Sequence, residues 1–290
     1  MPEGRSTAEG RPHTETIEEL IDRRFGFETH LGHGLPANPG LAQLIDRRVT
    51  RKFRTDPIPE PLLEAVLAAA QSAPSKSDLQ QYSIIVLTDP APIARIAGWI
   101  GTMPWITDAP VFLVFCGDIF RGRTACAMHD MAHGNDNLDT FLNASVDAAL
   151  AMGATIAAAD AAGLGSCPIS YVRNHVEKLA PLLHLPQGVF PVSGLALGWP
   201  EHRNLPSMRL PPSVVLHRGR YHTEALETEL RAYDKRRTAR EPTRPDKLKN
   251  TEVYPPAEGV GWTGNTARQL SVPERYGFRA WLKTRGLSVD

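Results

Sequence analysis

Residues 47–80 read RRVTRKFRTDPIPEPLLEAVLAAAQSAPSKSDLQ. Positive charge crowds its start, at Arg47, Arg48, Arg51, Lys52 and Arg54. On a helix, Arg47 and Arg51 share a face at i, i+4. Two guanidinium groups held together repel unless an anion lies between them, and their fork geometry suits a phosphate. Composition alone reads the same run as a solvated basic turn. Pro57 and Pro59 then impose extended backbone, because proline disfavours helix in the residue before it. Pro61 fits a first helical turn, and Leu62, Leu63, Val66, Leu67 and Ala70 follow at helical spacing, which predicts a helix over 61–72. Ser72 to Ser77 end it as a polar loop, with Gln80 close behind. Hydroxyls and an amide there can hydrogen-bond a polyol chain or the polar edge of a ring.

Working outward, Thr14–Phe25 reads as a helix, with Thr16 and Glu19 spaced as a capping box. Leu41–Arg48 reads as a short helix. Three apolar runs have strand length: Tyr82–Thr88, Ala109–Gly117 and Val189–Trp199. In the last, Gly194, Ala196 and Gly198 alternate with larger residues, a pattern that lets another backbone or a flat ligand approach. Asn137–Ala162 is an alanine-rich helix ended by Gly163-Leu164-Gly165. Residues 223–240 form a charged helix, 241–273 a long loop or arm, and 271–285 a last short helix. Few strands among many helices, without βαβ rhythm, predict an α+β fold in which helices surround a small mixed sheet. The expected organisation is an extension over 1–40, partly disordered, a core over 41–220, and a C-terminal helix and arm over 221–290. With little core of its own, that arm is expected to wrap a dimer partner.

Bulk properties narrow the function classes. Basic and acidic side chains balance at 32 each, which gives no support to a nucleic-acid or membrane-surface role. Three scattered cysteines, Cys116, Cys126 and Cys167, make neither a disulfide framework nor a zinc motif. His129, His133, His175, His184 and His202 also lack metal-ligand spacing. Asp147 and Asp160 interrupt the run Ala144–Leu164, so it reads as a buried helix rather than a membrane span. The polar N-terminus carries no secretory pattern. These features predict a cytoplasmic protein.

The run 47–80 resembles the N-terminal signature of the nitroreductase family: an arginine-rich start, a phenylalanine, a P-I-P link, an apolar helix and an A-P-S loop ending near glutamine. The likeness continues through SIIVLTD, VFLVFCGD, DAALAMGATIAAADAAGLGSCPI and FPVSGLALGWP…MRLPP, covering roughly 41–240. The last two blocks are most similar to the group A branch, which includes the oxygen-insensitive bacterial nitroreductase and NADPH:flavin oxidoreductases. The resemblance implies a homodimer with FMN at two interface sites, reduced by NADPH or NADH. It implies that Arg47, Arg48 and Arg51 contact FMN, that Ser75, Ser77 and Gln80 form the serine-rich loop, that Ile169 and Ser170 pass along the isoalloxazine ring, and that Arg173 and Arg209 lie beside the flavin phosphate. Lys235, Arg236, Arg237 and Arg240 match the region where relatives hold the NADPH 2′-phosphate, and a solvated helix face is the competing reading.

The implied activity is ping-pong hydride transfer to nitroaromatics, quinones or flavins. No dedicated catalytic residue and no metal is expected. A specialised flavoenzyme of the same fold, such as a dehalogenase or a biosynthetic ring reductase, and a non-catalytic flavin-binding redox sensor are the alternatives. Two departures keep them open: Ser207 stands where the pattern has lysine, and Met103 where it has glutamine.

Overall fold

The computed structural model describes residues 15–289. The expectations for residues 1–13 and for a helix start at Thr14 lie outside it. The chain forms two compact units, one from residues 15–46 and 206–272, the other from 47–205 and 273–289.

The larger unit holds a four-stranded sheet of β1 (Tyr82–Leu87), β2 (Val111–Asp118), β3 (Gly165–Ile169) and β4 (Val189–Gly198), in the order β1-β2-β4-β3. The expected α+β architecture is present, but all three pairings are antiparallel, so the sheet is not mixed. β3 was not visible as a strand because GSCPI contains glycine and proline. It pairs on one side only, and an edge strand tolerates Pro168. Proline also occurs in the central strand β4, at Pro191. The register slips there, Phe115 facing Ser193 and Cys116 facing Pro191, so Val192 is bulged out of the ladder.

The two central strands are buried on both faces, as a continuous apolar run requires. Val111, Leu113 and Phe115 pack with Leu63 and Val66 of α3 (Glu60–Gln71) and with Ala148, Ala151 and Ile156 of α6 (Leu138–Ala161). Phe112, Val114 and Cys116 pack on the opposite face, with Ile93 and Ile96 of α4 (Pro90–Ile100), Val176 and Leu179 of α7 (Val176–Leu182) and Leu282 of α11 (Phe278–Thr284). Each such buried aliphatic or aromatic side chain contributes about 1.5–3 kcal/mol relative to exposure. Between them, α5 spans Phe120–Ala127. By length and composition α6 could cross a membrane. Here four of its alanines, Ala144, Ala148, Ala151 and Ala159, are fully buried. A different face of α6 carries Leu138, Leu142, Val146 and Leu150 at four-residue spacing, all exposed.

The alternating small residues of β4 do not leave room for a flat ligand. A Cβ on Gly194 would lie 2.5 Å from Phe112, and one on Gly198 2.5 Å from Pro110. The molecule's own rings and prolines fill that space.

In the smaller unit, α1 (Ile17–Phe25) starts at Thr16 with the predicted capping box, worth about 1 kcal/mol. α2 spans Pro39–Ile45, not 41–48, because Asn38 caps Leu41 N–H at 2.9 Å and Pro39 occupies the first turn. Buried Arg24 ties this region together, donating to Ile45 O and Ser207 O. After α8 (Pro212–Val215) and α9 (Leu226–Arg240), residues 241–273 contain a helix that the sequence reading missed, α10 (Trp262–Ser271). Its cap comes from elsewhere in the chain. Asp234 of α9 accepts Thr263 N–H at 3.0 Å and also the Thr263 hydroxyl.

Candidate functional site

The basic run is extended, not helical. Asp46 caps α2, and Thr50 N–H donates to Ser166 O of β3 at 3.0 Å. The run continues past the sheet end, where Arg54 N–H donates to Trp199 O at 2.9 Å and Phe53 bridges Pro200. Gly165 makes this approach possible, since a Cβ there would lie 2.7 Å from Thr50 Cβ. The helical i, i+4 argument for Arg47 and Arg51 therefore fails. Extended chain reaches the same result, because its two-residue period puts 47, 49 and 51 on one side. Both guanidinium groups act on the Cys167 thiol of β3. Burial pushes that thiol's pKa up, while the charge of Arg51, which also hydrogen-bonds it, and the charge of Arg47 draw it back. Arg48 lies between them, half-buried, with its carbonyl 3.5 Å from Arg47 Nη1. No carboxylate is paired with Arg51 among the described residues, so a charge at the flank of β3 is left for an anion.

The serine loop is built differently. Its backbone is left-handed at Ser77, Asp78 and Gln80, with φ of 52°, 57° and 50°. Ser75 Oγ accepts Gln80 N–H at 3.3 Å, and Gln80 Nε2 reaches Asp78 at 3.2 Å. Ser77 and Gln80 are exposed. Gln80 also lines a cavity of about 670 Å³ along β1, shared with Tyr82, Val86 and Arg121. Two acids and a base that the sequence reading did not single out for this loop, Asp147, Asp118 and Arg121, bond its backbone. Only the oddity of acids inside apolar runs could have signalled the first two.

The remaining predicted residues divide. Ile169 ends β3 buried in the core, 2% exposed, whereas Ser170 is exposed. Arg173 does not gather with Arg47 and Arg51. It donates to the bulged carbonyl of Val192 and lines a cavity of about 410 Å³ with His175, Lys178 and Arg275. Desolvation, then the Arg275 charge, lowers its pKa. Arg209 belongs to the smaller unit, where its side chain donates to Ser207 Oγ at 2.7 Å and lines a cavity of about 450 Å³ with Phe25, Tyr233, Arg237 and Trp262. Of the basic residues on α9, Arg236 lies over Phe27, Arg237 donates to Tyr233 Oη, and Arg240 donates to Arg23 O and Pro206 O. Three of the four thus carry intra-unit contacts. Met103 packs against the apolar core and Trp105 lies 6.3 Å from Phe53 between ring centroids.

The arginine group and the serine loop sit at opposite edges of the sheet, against β3 and before β1. Three strand spacings, roughly 14 Å, separate those edges.

A model of the nitroreductase family matches residues 44–199, and a model of that family's C-terminal domain matches 207–290. The chain belongs to the nitroreductase family. Within it, the chain is 38% identical over 200 residues to the FMN reductase (NAD(P)H) of Bacillus subtilis strain 168, covering 68% of this chain and 80% of that one. It is 34% identical over 198 residues to the oxygen-insensitive NADPH nitroreductase of Salmonella typhimurium, with the same coverage of 68% and 80%. Among solved structures, the NADPH:FMN oxidoreductase of Vibrio harveyi, complexed with NAD+, superposes with a TM-score of 0.76 at 26% identity, covering 87% of this chain and 99% of that one. This nitroreductase-family chain thus shares both sequence and fold with flavin-using oxidoreductases.

Proposed function

We propose that the protein is an FMN-dependent NAD(P)H oxidoreductase that reduces nitroaromatics, quinones or flavins. The observation that carries the reading is the convergence of Arg47 and Arg51 on the flank of β3, from a segment lying inside the family match. The donor set fits the cofactor: guanidinium groups suit its phosphate, and hydroxyls and amides suit its ribityl chain and ring edge. When bound, FMN supplies two-electron chemistry, accepting hydride from a nicotinamide and passing electrons to a second substrate.

The chain's own residues have narrower tasks. Arg47 and Arg51, with Arg48 between them, hold the phosphate. Ser170, with Ile169 before it, is assigned to the segment that passes along the ring. Ser75, Ser77 and Gln80 contribute from the loop. Cys167 stays a neutral thiol, because burial outweighs the pull of the two arginines.

The separation of the two sheet edges supports a homodimer in which one copy's arginines meet the other copy's loop. The apolar stripe Leu138, Leu142, Val146 and Leu150 gives the second copy a surface, and the helix that carries it also holds the loop through Asp147. The C-terminal arm is then available to cover the partner. A cytoplasmic setting suits both the three free cysteines and a nicotinamide donor.

The test is anaerobic mixing of the FMN-loaded protein with NADPH. Bleaching of the oxidised-flavin band, at roughly 450 nm, is expected. A band that persists, or a protein that takes up no FMN, contradicts the proposal.

A further inference from the structure

We propose that Asp147 and Arg121 are positioning residues that clamp the loop 75–81 into the shape in which it meets the flavin. The inference rests on the flavin reading for the loop's ligand, not for the clamp's geometry.

Asp147 is 1% exposed. Its Oδ1 accepts Lys76 N–H at 3.0 Å and its Oδ2 accepts Gln81 N–H at 3.0 Å. A buried carboxylate needs such donors. In return it fixes both ends of a segment containing three non-glycine residues in left-handed backbone. Residues in that region persist only where their surroundings over-determine them. The second half of the clamp grips carbonyls. Arg121 Nη1 donates to Gln80 O at 2.6 Å and Tyr82 O at 3.1 Å, while its Nη2 reaches Ser83 Oγ at 3.1 Å and Asp118 Oδ2 at 3.3 Å. Asp118 N–H donates to Gln81 O at 2.9 Å. An acid thus takes the loop's N–H groups from α6, and a base takes its carbonyls from α5. The backbone is committed inward, and the side chains of Ser77 and Gln80 are left outside.

The experiment uses the full-length protein and two variants. Asp147→Asn keeps the volume but turns one acceptor into a donor facing an N–H. Arg121→Met removes the carbonyl grip from a side chain that is half exposed, so it should fold even if the first does not. Two quantities are read: the FMN dissociation constant from fluorescence quenching, and amide hydrogen exchange at Lys76, Gln81 and Asp118. Each variant is expected to bind FMN about ten-fold more weakly, the loss of one strong hydrogen bond, with faster exchange in the loop. Arg47→Ala with Arg51→Ala should lose FMN without altering that exchange. Faster loop exchange with FMN affinity unchanged overturns the positioning role, and so does unchanged exchange. A wild-type protein that binds no FMN overturns the flavin reading and this inference together, and the wild-type titration alone separates that outcome.

Discussion

Arg47 and Arg51 owe their shared direction to an extended chain pinned at Thr50, and both act on the Cys167 thiol. Replacing both with alanine should weaken FMN retention by about 3–6 kcal/mol if each makes one charge-assisted bond. Flavin content measured after dialysis checks this. The cysteines make a second residue-scale prediction. Burial, helped by Asp118, pushes the Cys116 thiol up to about 12, and burial also raises Cys167. A raised thiol pKa means less thiolate at neutral pH, and thiolate is the reactive form. Iodoacetamide at neutral pH should therefore label the half-buried Cys126 first in the native protein, as read by peptide mass spectrometry.

At the scale of elements, the arginine segment and β3 can touch only because position 165 lacks a side chain. Gly165→Ala drives a Cβ into Thr50 and should cost about 1–3 kcal/mol of stability, as overpacking does. It should also weaken FMN binding by displacing Arg47 and Arg51. Thermal melting and flavin titration follow the two effects, and adding Thr50→Gly should recover part of both. Elements likewise explain what Arg173 does. It satisfies the carbonyl of a bulge that exists because Pro191 cannot donate to the ladder. The family resemblance implies that Arg173 lies beside the flavin phosphate, and its visible contact here is with the bulged carbonyl. The helix α10 has a similar lesson, since its cap is Asp234, 29 residues earlier in the chain.

For the whole molecule, the sheet order bears on the proposed homodimer. β1 and β3 lie on opposite edges, so in that proposal the arginines of one copy meet the serine loop of the other. Co-expressing Arg47→Ala/Arg51→Ala with Ser75→Ala/Ser77→Ala/Gln80→Ala should restore FMN binding at about a quarter of the sites, since half the dimers are mixed and each then has one intact site. Absence of complementation would place both groups in one chain's site. Leu142→Glu with Leu150→Glu should shift the protein to monomer in sedimentation and release FMN with it.

The sequence alone determined the local and periodic features. Helical spacing located α3, alanine content and a glycine stop located α6, charge content located α9, continuous apolar runs located β1, β2 and β4, and the Thr16 capping box was legible in four residues. The order of motifs named the family, because each motif is short and local. Only the tertiary structure showed β3, a strand with poor propensity made by pairing with β4. It alone showed α10, the extended path of Arg47–Arg51, and Ile169 turned into the core. It alone showed Asp147 as the holder of a loop 66–71 positions away in the chain. Period and propensity act over a few neighbours, whereas strand pairing and buried carboxylates join residues that the chain separates. A reading of 47–80 could therefore identify the charges and the loop, and the sheet decided that they lie on opposite sides of it.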